Sequence, residues 1–110
     1  MAFDPELADR VRTSLAGRTA FGERAMFGGL AFMVGGHMAC GVLGDDLLLR
    51  LGPEGAEEAL ERPGVRPMDF TGRPLKGYVY VAPPAVGDDA ALGGWLDGAL
   101  AFVATLPPKK

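Results

Sequence analysis

Residues 26 to 51, MFGGLAFMVGGHMACGVLGDDLLLRL, constrain this chain more than any other stretch. Three apolar runs, Leu30–Val34, His37–Leu43 and Asp46–Leu51, are too short for helices of ordinary length. Gly35-Gly36 and Gly44-Asp45 separate them, and both pairs supply the positive backbone angles of two-residue hairpins. The stretch therefore predicts an antiparallel meander on which the rest of the chain packs. It specifies a fold and no reaction, because no catalytic or cofactor motif accompanies it.

Inside the meander, alternation places Met38, Cys40 and Val42 on one side and His37, Ala39, Gly41 and Leu43 on the other. Leu47, Leu49 and Leu51 share one face of the next strand, opposite Asp46, Leu48 and Arg50. Met26 and Phe27 are read as the start of a strand that bends at Gly28-Gly29 and resumes at Leu30, with Thr19–Arg24 as a linker before it. Paired glycines in a strand pattern signal a bulge. The other reading, a phosphate-binding loop, lacks its spacing and the Gly-Lys-Ser/Thr that should follow.

Helices flank the meander. Asp4 caps a first helix with Pro5 at its opening position, and Leu7, Val11 and Leu15 form its apolar stripe as far as Gly17. Gly52-Pro53-Glu54 opens a second, short helix with a narrow face of Ala56, Ala59 and Leu60, ended by Arg62-Pro63-Gly64. Residues 65–74 are a short extended piece and a turn. Residues 77–82, GYVYVA, alternate cleanly, with Val79 and Val81 on one face and Tyr78 and Tyr80 on the other. Asp88 or Asp89 caps a last helix carrying Leu92, Trp95, Leu96, Ala99, Phe102, Val103 and Leu106, with Trp95 and Phe102 expected in the core. Gly93, Gly94 and Gly98 each cost that helix ~1 kcal/mol and are expected to permit close helix–sheet packing. The order α-β-β-β-α-β-β-α predicts a two-layer α+β sandwich with a mainly antiparallel sheet. The first and last helices cover one face, leaving Arg50, Tyr78 and Tyr80 on the other.

Length and charge exclude several function classes. One domain accounts for all 110 residues, with a core at about 4–106 and a tail at 107–110. The net charge of −3 gives no bulk attraction to nucleic acid. A single cysteine rules out an intrachain disulfide and suits a reducing cytoplasm. The N-terminus lacks the apolar segment of a signal peptide, and no run is long enough to span a membrane.

Few residues stand out chemically. His37, the sole histidine, is read as an exposed turn residue, since a metal site needs three or four ligands. Cys40 lies three residues on and is read as a small core residue on the opposite face, which argues against a nucleophilic pair. The pairs Asp45-Asp46 and Asp88-Asp89 belong to a turn and a helix cap. Arg24, Arg50, Arg73 and Lys76 with Tyr78 and Tyr80 form the candidate interaction surface. It could bind a protein, or nucleic acid or a small anion through stacking and phosphate contacts; ordinary surface charge paired with Asp45, Asp46 or Asp69 is the plainer account.

The ordered set Phe27-Gly28-Gly29, the Phe32 strand, Gly35-Gly36, Leu49-Arg50, Phe70 with Gly72-Arg73-Pro74, the Tyr78/Tyr80 strand and Trp95 resembles the TfoX N-terminal domain family. That family is named for a bacterial competence regulator also called Sxy, and the likeness runs over about residues 20 to 106. The resemblance implies an α+β fold of the secretion-chaperone-like type and supplies no catalytic residues. It further implies a stand-alone, non-enzymatic regulatory or protein-interaction domain linked to transcriptional regulation, with a protein partner and no cofactor or metal. Joined to the half-open sheet, it predicts a cytoplasmic homodimer.

Overall fold

The computed structural model describes residues 3–26, 28–68 and 77–107. Helix α1 (Pro5–Ala16) is followed by strands β1 (Gly22–Met26), β2 (Gly29–Val34), β3 (His37–Leu43) and β4 (Asp46–Arg50). Helix α2 (Gly52–Ala59), strands β5 (Val65–Pro67) and β6 (Tyr78–Val81), a 3₁₀ turn (Pro83–Val86) and helix α3 (Asp89–Val103) complete the chain. The six strands form one open sheet in the order β1-β2-β3-β4-β6-β5, and every pairing is antiparallel. The expected α+β class holds, with one strand more than the sequence pattern announced.

The extra strand corrects two expectations. Residues 22–24, assigned to a linker, belong to β1, and Met26 pairs with Gly29. Gly28, at φ +76°, therefore lies in a hairpin connection rather than at a bulge within a single strand. Gly29 is needed for close approach, because a Cβ there would lie 2.4 Å from the Val42 carbonyl oxygen. The Gly35-Gly36 hairpin is as expected, with φ of +60° and +83°, the left-handed pair that matches strand twist.

A bulge does exist, one hairpin later. Phe32 pairs with Cys40 but Met33 pairs with Met38, so Ala39 is the extra residue of β3. One inserted residue inverts the alternation beyond it. Cys40 and Val42 thus join the helix-side core, whereas Met38 joins the cluster on the other face. The expectation that Met38 and Cys40 share a face is overturned for this reason.

One sheet face and the helices enclose the main core: Leu7, Val11 and Leu15 of α1, Phe32, Leu47, Leu49, Val79 and Val81 of the sheet, Ala56 and Ala59 of α2, and Leu92, Trp95 and Leu96 of α3. The Trp95 indole N–H donates to the Ala85 carbonyl at 3.2 Å, satisfying its polar atom. Leu60, assigned to the α2 apolar face, is 38% exposed, because α2 ends at Ala59 and Leu60 is its cap. The helix caps are as expected: Asp4 accepts from the Glu6 amide and Asp88 from the Ala91 amide. Arg10 of α1 pairs with Asp89 of α3 at 3.2 Å, and Arg18, just past the end of α1, pairs with Asp97 of α3 at 2.7 Å. The two pairs have the same sequence separation, so α1 and α3 run side by side in the same direction.

The three glycines of α3 do not all serve helix–sheet approach. Gly93 makes room for the Arg18 guanidinium, Gly98 meets the Leu51 side chain, and a Cβ on Gly94 would meet nothing within 4 Å. Gly94→Ala should therefore recover helix propensity without a clash, stabilising the protein by about 1 kcal/mol. A thermal melt should show a rise of roughly 4 °C; a fall would mean that this turn needs glycine for a reason other than space.

Candidate interaction surface

The second sheet face carries a smaller apolar cluster of Ala31, Met38, Leu48 and Met68, with Met33, Tyr78 and Tyr80 against it. Strand register orders the side chains around it. Arg24 pairs with Ala31, Ala31 with Gly41, Gly41 with Leu48, Leu48 with Tyr80, and Tyr80 with Arg66. These residues form one row across the sheet with an arginine at each end. One register step along, Arg50 pairs with Tyr78.

The geometry brings part of the expected set together and separates the rest. The Arg50 guanidinium lies 5.6 Å from the Tyr78 ring centroid, and that of Arg66 lies 5.1 Å from the Tyr80 centroid. Both distances fall within the cation–π range, where each contact contributes about 0.5–2 kcal/mol. Arg24 stands at the far edge, four strand spacings from Tyr80, or roughly 19 Å, and shares no site with it. Arg73 and Lys76 lie outside the described residues.

Two members of the surface were not anticipated. Arg66 also pairs with Asp46 at 2.6 Å, taking up one of the three carboxylates that the sequence offered to the candidate basic residues. Its only trace in the sequence is the Val65-Arg66 alternation, which does not reveal that β5 lies beside β6. The second is Phe102, expected in the core but half-buried. Its ring centroid stands 5.7 Å from the Arg50 guanidinium. Gly52 explains the placement: its φ is +78°, and a Cβ there would lie 2.5 Å from the Phe102 ring. The ring therefore packs against bare backbone where β4 hands over to α2. Behind it, the Leu51 and Gly52 amides both donate to the Gly77 carbonyl, at 2.7 and 3.1 Å. A cavity of about 470 Å³, lined by Leu51, Gly52, Pro53, Glu54, Gly98 and Phe102 among others, opens beside this junction.

His37 is not the exposed turn residue expected. It is 9% exposed, and its Nε2 lies 2.6 Å from the Pro107 carbonyl oxygen, to which the Nε2–H donates. The bulge at Ala39 explains this, since it turns His37 toward the side where α3 ends. His37 and Cys40 therefore share the helix side of the sheet, contrary to the simple alternation. Among the described residues, no group of three or more His, Cys, Asp or Glu side chains is placed to hold a metal ion.

Cys40 is fully buried, and burial pushes its thiol up to about 12 from an ordinary 9.0. The unfolded thiol ionises first as pH rises, so between those two values the unfolded state holds fewer protons and stability falls. This contribution is complete below pH 9 and is lost as pH climbs toward 12. Urea melts should show a downward slope above pH 9 that Cys40→Ala flattens. A thiol reagent should label the native protein only as fast as it opens; rapid native labelling would contradict the burial.

The matching family model, TfoX N-terminal domain, covers residues 13–103. The chain belongs to the TfoX N-terminal domain family. No curated protein matches it. Membership suggests a regulatory or competence-related domain and names no partner. No helix among its described residues is long and apolar enough to cross a membrane.

Proposed function

We propose that this TfoX N-terminal domain is a non-enzymatic, cytoplasmic regulatory module that docks a protein partner on the β4–β6–β5 end of its second sheet face. The carrying observation is the pair of cation–π ladders, Arg50 on Tyr78 and Arg66 on Tyr80, on the face away from the main helix-covered core. Stacked arginine and tyrosine combine apolar area, hydrogen-bond donors and low residual entropy, the make-up of interface hot spots.

Homodimerisation belongs to the same reading and favours the face over the free β1 edge. A two-fold pairing of β1 with itself sets one residue opposite its own copy. Centring on Glu23 or Arg24 then places like charges face to face, which destabilises the pair. Sedimentation velocity on wild type and an Arg50→Glu, Arg66→Glu double variant tests this: a dimer lost in the variant supports it, and an unchanged dimer refutes it. Affinity capture from native lysate with the same two proteins tests the docking role. A stoichiometric protein held by wild type and released by the folded variant is the expected result; equal capture by both would sink it.

A second reading, binding of nucleic acid or a small anion, draws on Arg50, the half-buried arginine of this face that has no carboxylate partner among the described residues. A flat anisotropy titration with a labelled single-stranded oligonucleotide at low salt, where phosphate contacts are strongest, would dismiss the nucleic-acid form.

A further inference from the structure

Among the described residues, Arg10, Arg12, Arg18 and Arg66 each hold a carboxylate within 3.2 Å. Arg50 differs. It is half-buried, and its guanidinium is positioned by two aromatic rings, Tyr78 from the sheet and Phe102 from α3. Aromatic faces hold a guanidinium without accepting its in-plane N–H bonds. A charged group is thus pre-ordered while its hydrogen-bond donors have no acceptor among the described residues, the state a bidentate oxyanion acceptor completes.

We propose that Arg50 is the receptor for a single carboxylate on an otherwise neutral, apolar peptide segment of the docking partner, a reading that rests on the surface assigned above. Two observations select a carboxylate on a peptide over a polyphosphate. First, among the described residues of β4, β5 and β6, Arg50 is the one guanidinium without a carboxylate, because its neighbour Arg66 is already engaged by Asp46. Second, Glu54, Glu57, Glu58 and Glu61 line one side of the adjoining α2, and Glu54 shares a cavity wall with Phe102. A chain of phosphates on Arg50 would bring several negative charges near that acidic helix, whereas a single carboxylate on an otherwise neutral segment brings one. Around the charge, Tyr78, Phe102 and the cavity beside Gly52 offer apolar area for the residues that flank such a carboxylate.

The test follows the Arg50 side-chain Nε–H by ¹⁵N NMR in the full chain. The probe is an acetylated, amidated peptide, Gly-Leu-Glu-Leu-Gly, and the controls are its glutamine counterpart, inorganic phosphate and sodium chloride at matched ionic strength. The expected result is a saturable shift with the glutamate peptide, absent with the glutamine peptide and smaller with phosphate. Arg50→Lys, which keeps the charge and loses the planar fork, is followed by the backbone amide shifts of β4 and β6 and should weaken binding about tenfold or more. Phe102→Leu should weaken it while leaving the backbone spectrum folded. The Nε–H of Arg24, exposed and unstacked, is the internal reference. A shift at Arg50 no larger than at Arg24, an equal response to phosphate, or tighter binding of a short oligonucleotide would each overturn the proposal. The two readings fail separately. A partner released by the Arg50/Arg66 variant with no carboxylate response at Arg50 refutes this inference alone; a carboxylate response without any such partner refutes the docking role alone.

Discussion

Replacing Phe32 by alanine is expected to lower stability by about 3–5 kcal/mol, the cost of emptying a phenyl-sized volume in a packed core. Phe32 is completely buried. It lies on the helix side of β2, with its ring 5.9 Å from Phe21, among the side chains that join α1 and α3 to the sheet. Its strand is flanked by β1 and β3, so neither neighbour can shift inward without breaking a ladder. The cavity will stay largely open, which puts the loss at the upper part of that range. Domains of this size have about 5–15 kcal/mol in total, so the variant should sit near its unfolding threshold. A urea melt gives the value directly, and the midpoint temperature should fall by roughly 12–20 °C. A loss below about 1 kcal/mol would show that the helices do not seal this part of the sheet.

The second large effect is expected from Gly52→Ala. Two separate costs meet there. The backbone is at φ +78°, where a side chain adds about 1–3 kcal/mol of strain. The new methyl would also stand 2.5 Å from the Phe102 ring, and moving that ring adds about 1–3 kcal/mol. Because Phe102 is one of the two rings that position Arg50, the variant should also release the guanidinium. Urea denaturation reads the first effect, and the Arg50 Nε–H linewidth and shift read the second. Gly94→Ala, on an open stretch of α3, is the matched control, since it adds the same methyl without strain. Equal behaviour of the two variants would contradict the account of the Gly52 junction.

Much of the fold was legible because short-range rules dictate it. Asp4 and Asp88 announce their helices through capping chemistry that needs only two or three neighbouring residues. Gly35-Gly36 announces its hairpin because few other residues adopt two successive positive φ angles. The Leu47/Leu49 and Val79/Val81 alternation identifies the buried face without knowledge of what buries it. Tyr78, Tyr80 and Arg50 were found as candidates by the same rule, applied to the opposite face.

The misreadings share one cause, an interaction between residues distant in sequence. Gly28-Gly29 looks the same whether a strand bends or turns back, and only the pairing of β1 with β2 decides between them. The Ala39 bulge has no composition of its own; it follows from how β3 meets both neighbours, and it carries His37 to the helix side. Arg24 and Arg50 read as one patch because both are arginines near apolar strands, yet the strand order sets them on opposite halves of the sheet. Arg66 and Phe102 were missed because their partners, Tyr80 and Arg50, lie on other elements.

By itself, then, the sequence determined the three helices, every strand but β1, and which side chains of most strands are buried. Those properties follow from local backbone preference and from hydrophobic periodicity, which act over a few residues. The tertiary structure alone decided strand order, the inversion at the bulge, and which charge meets which ring or carboxylate. Those depend on closing long loops so that distant groups come within a few ångströms. That closure is why Asp46 engages Arg66 and leaves Arg50 held by two rings.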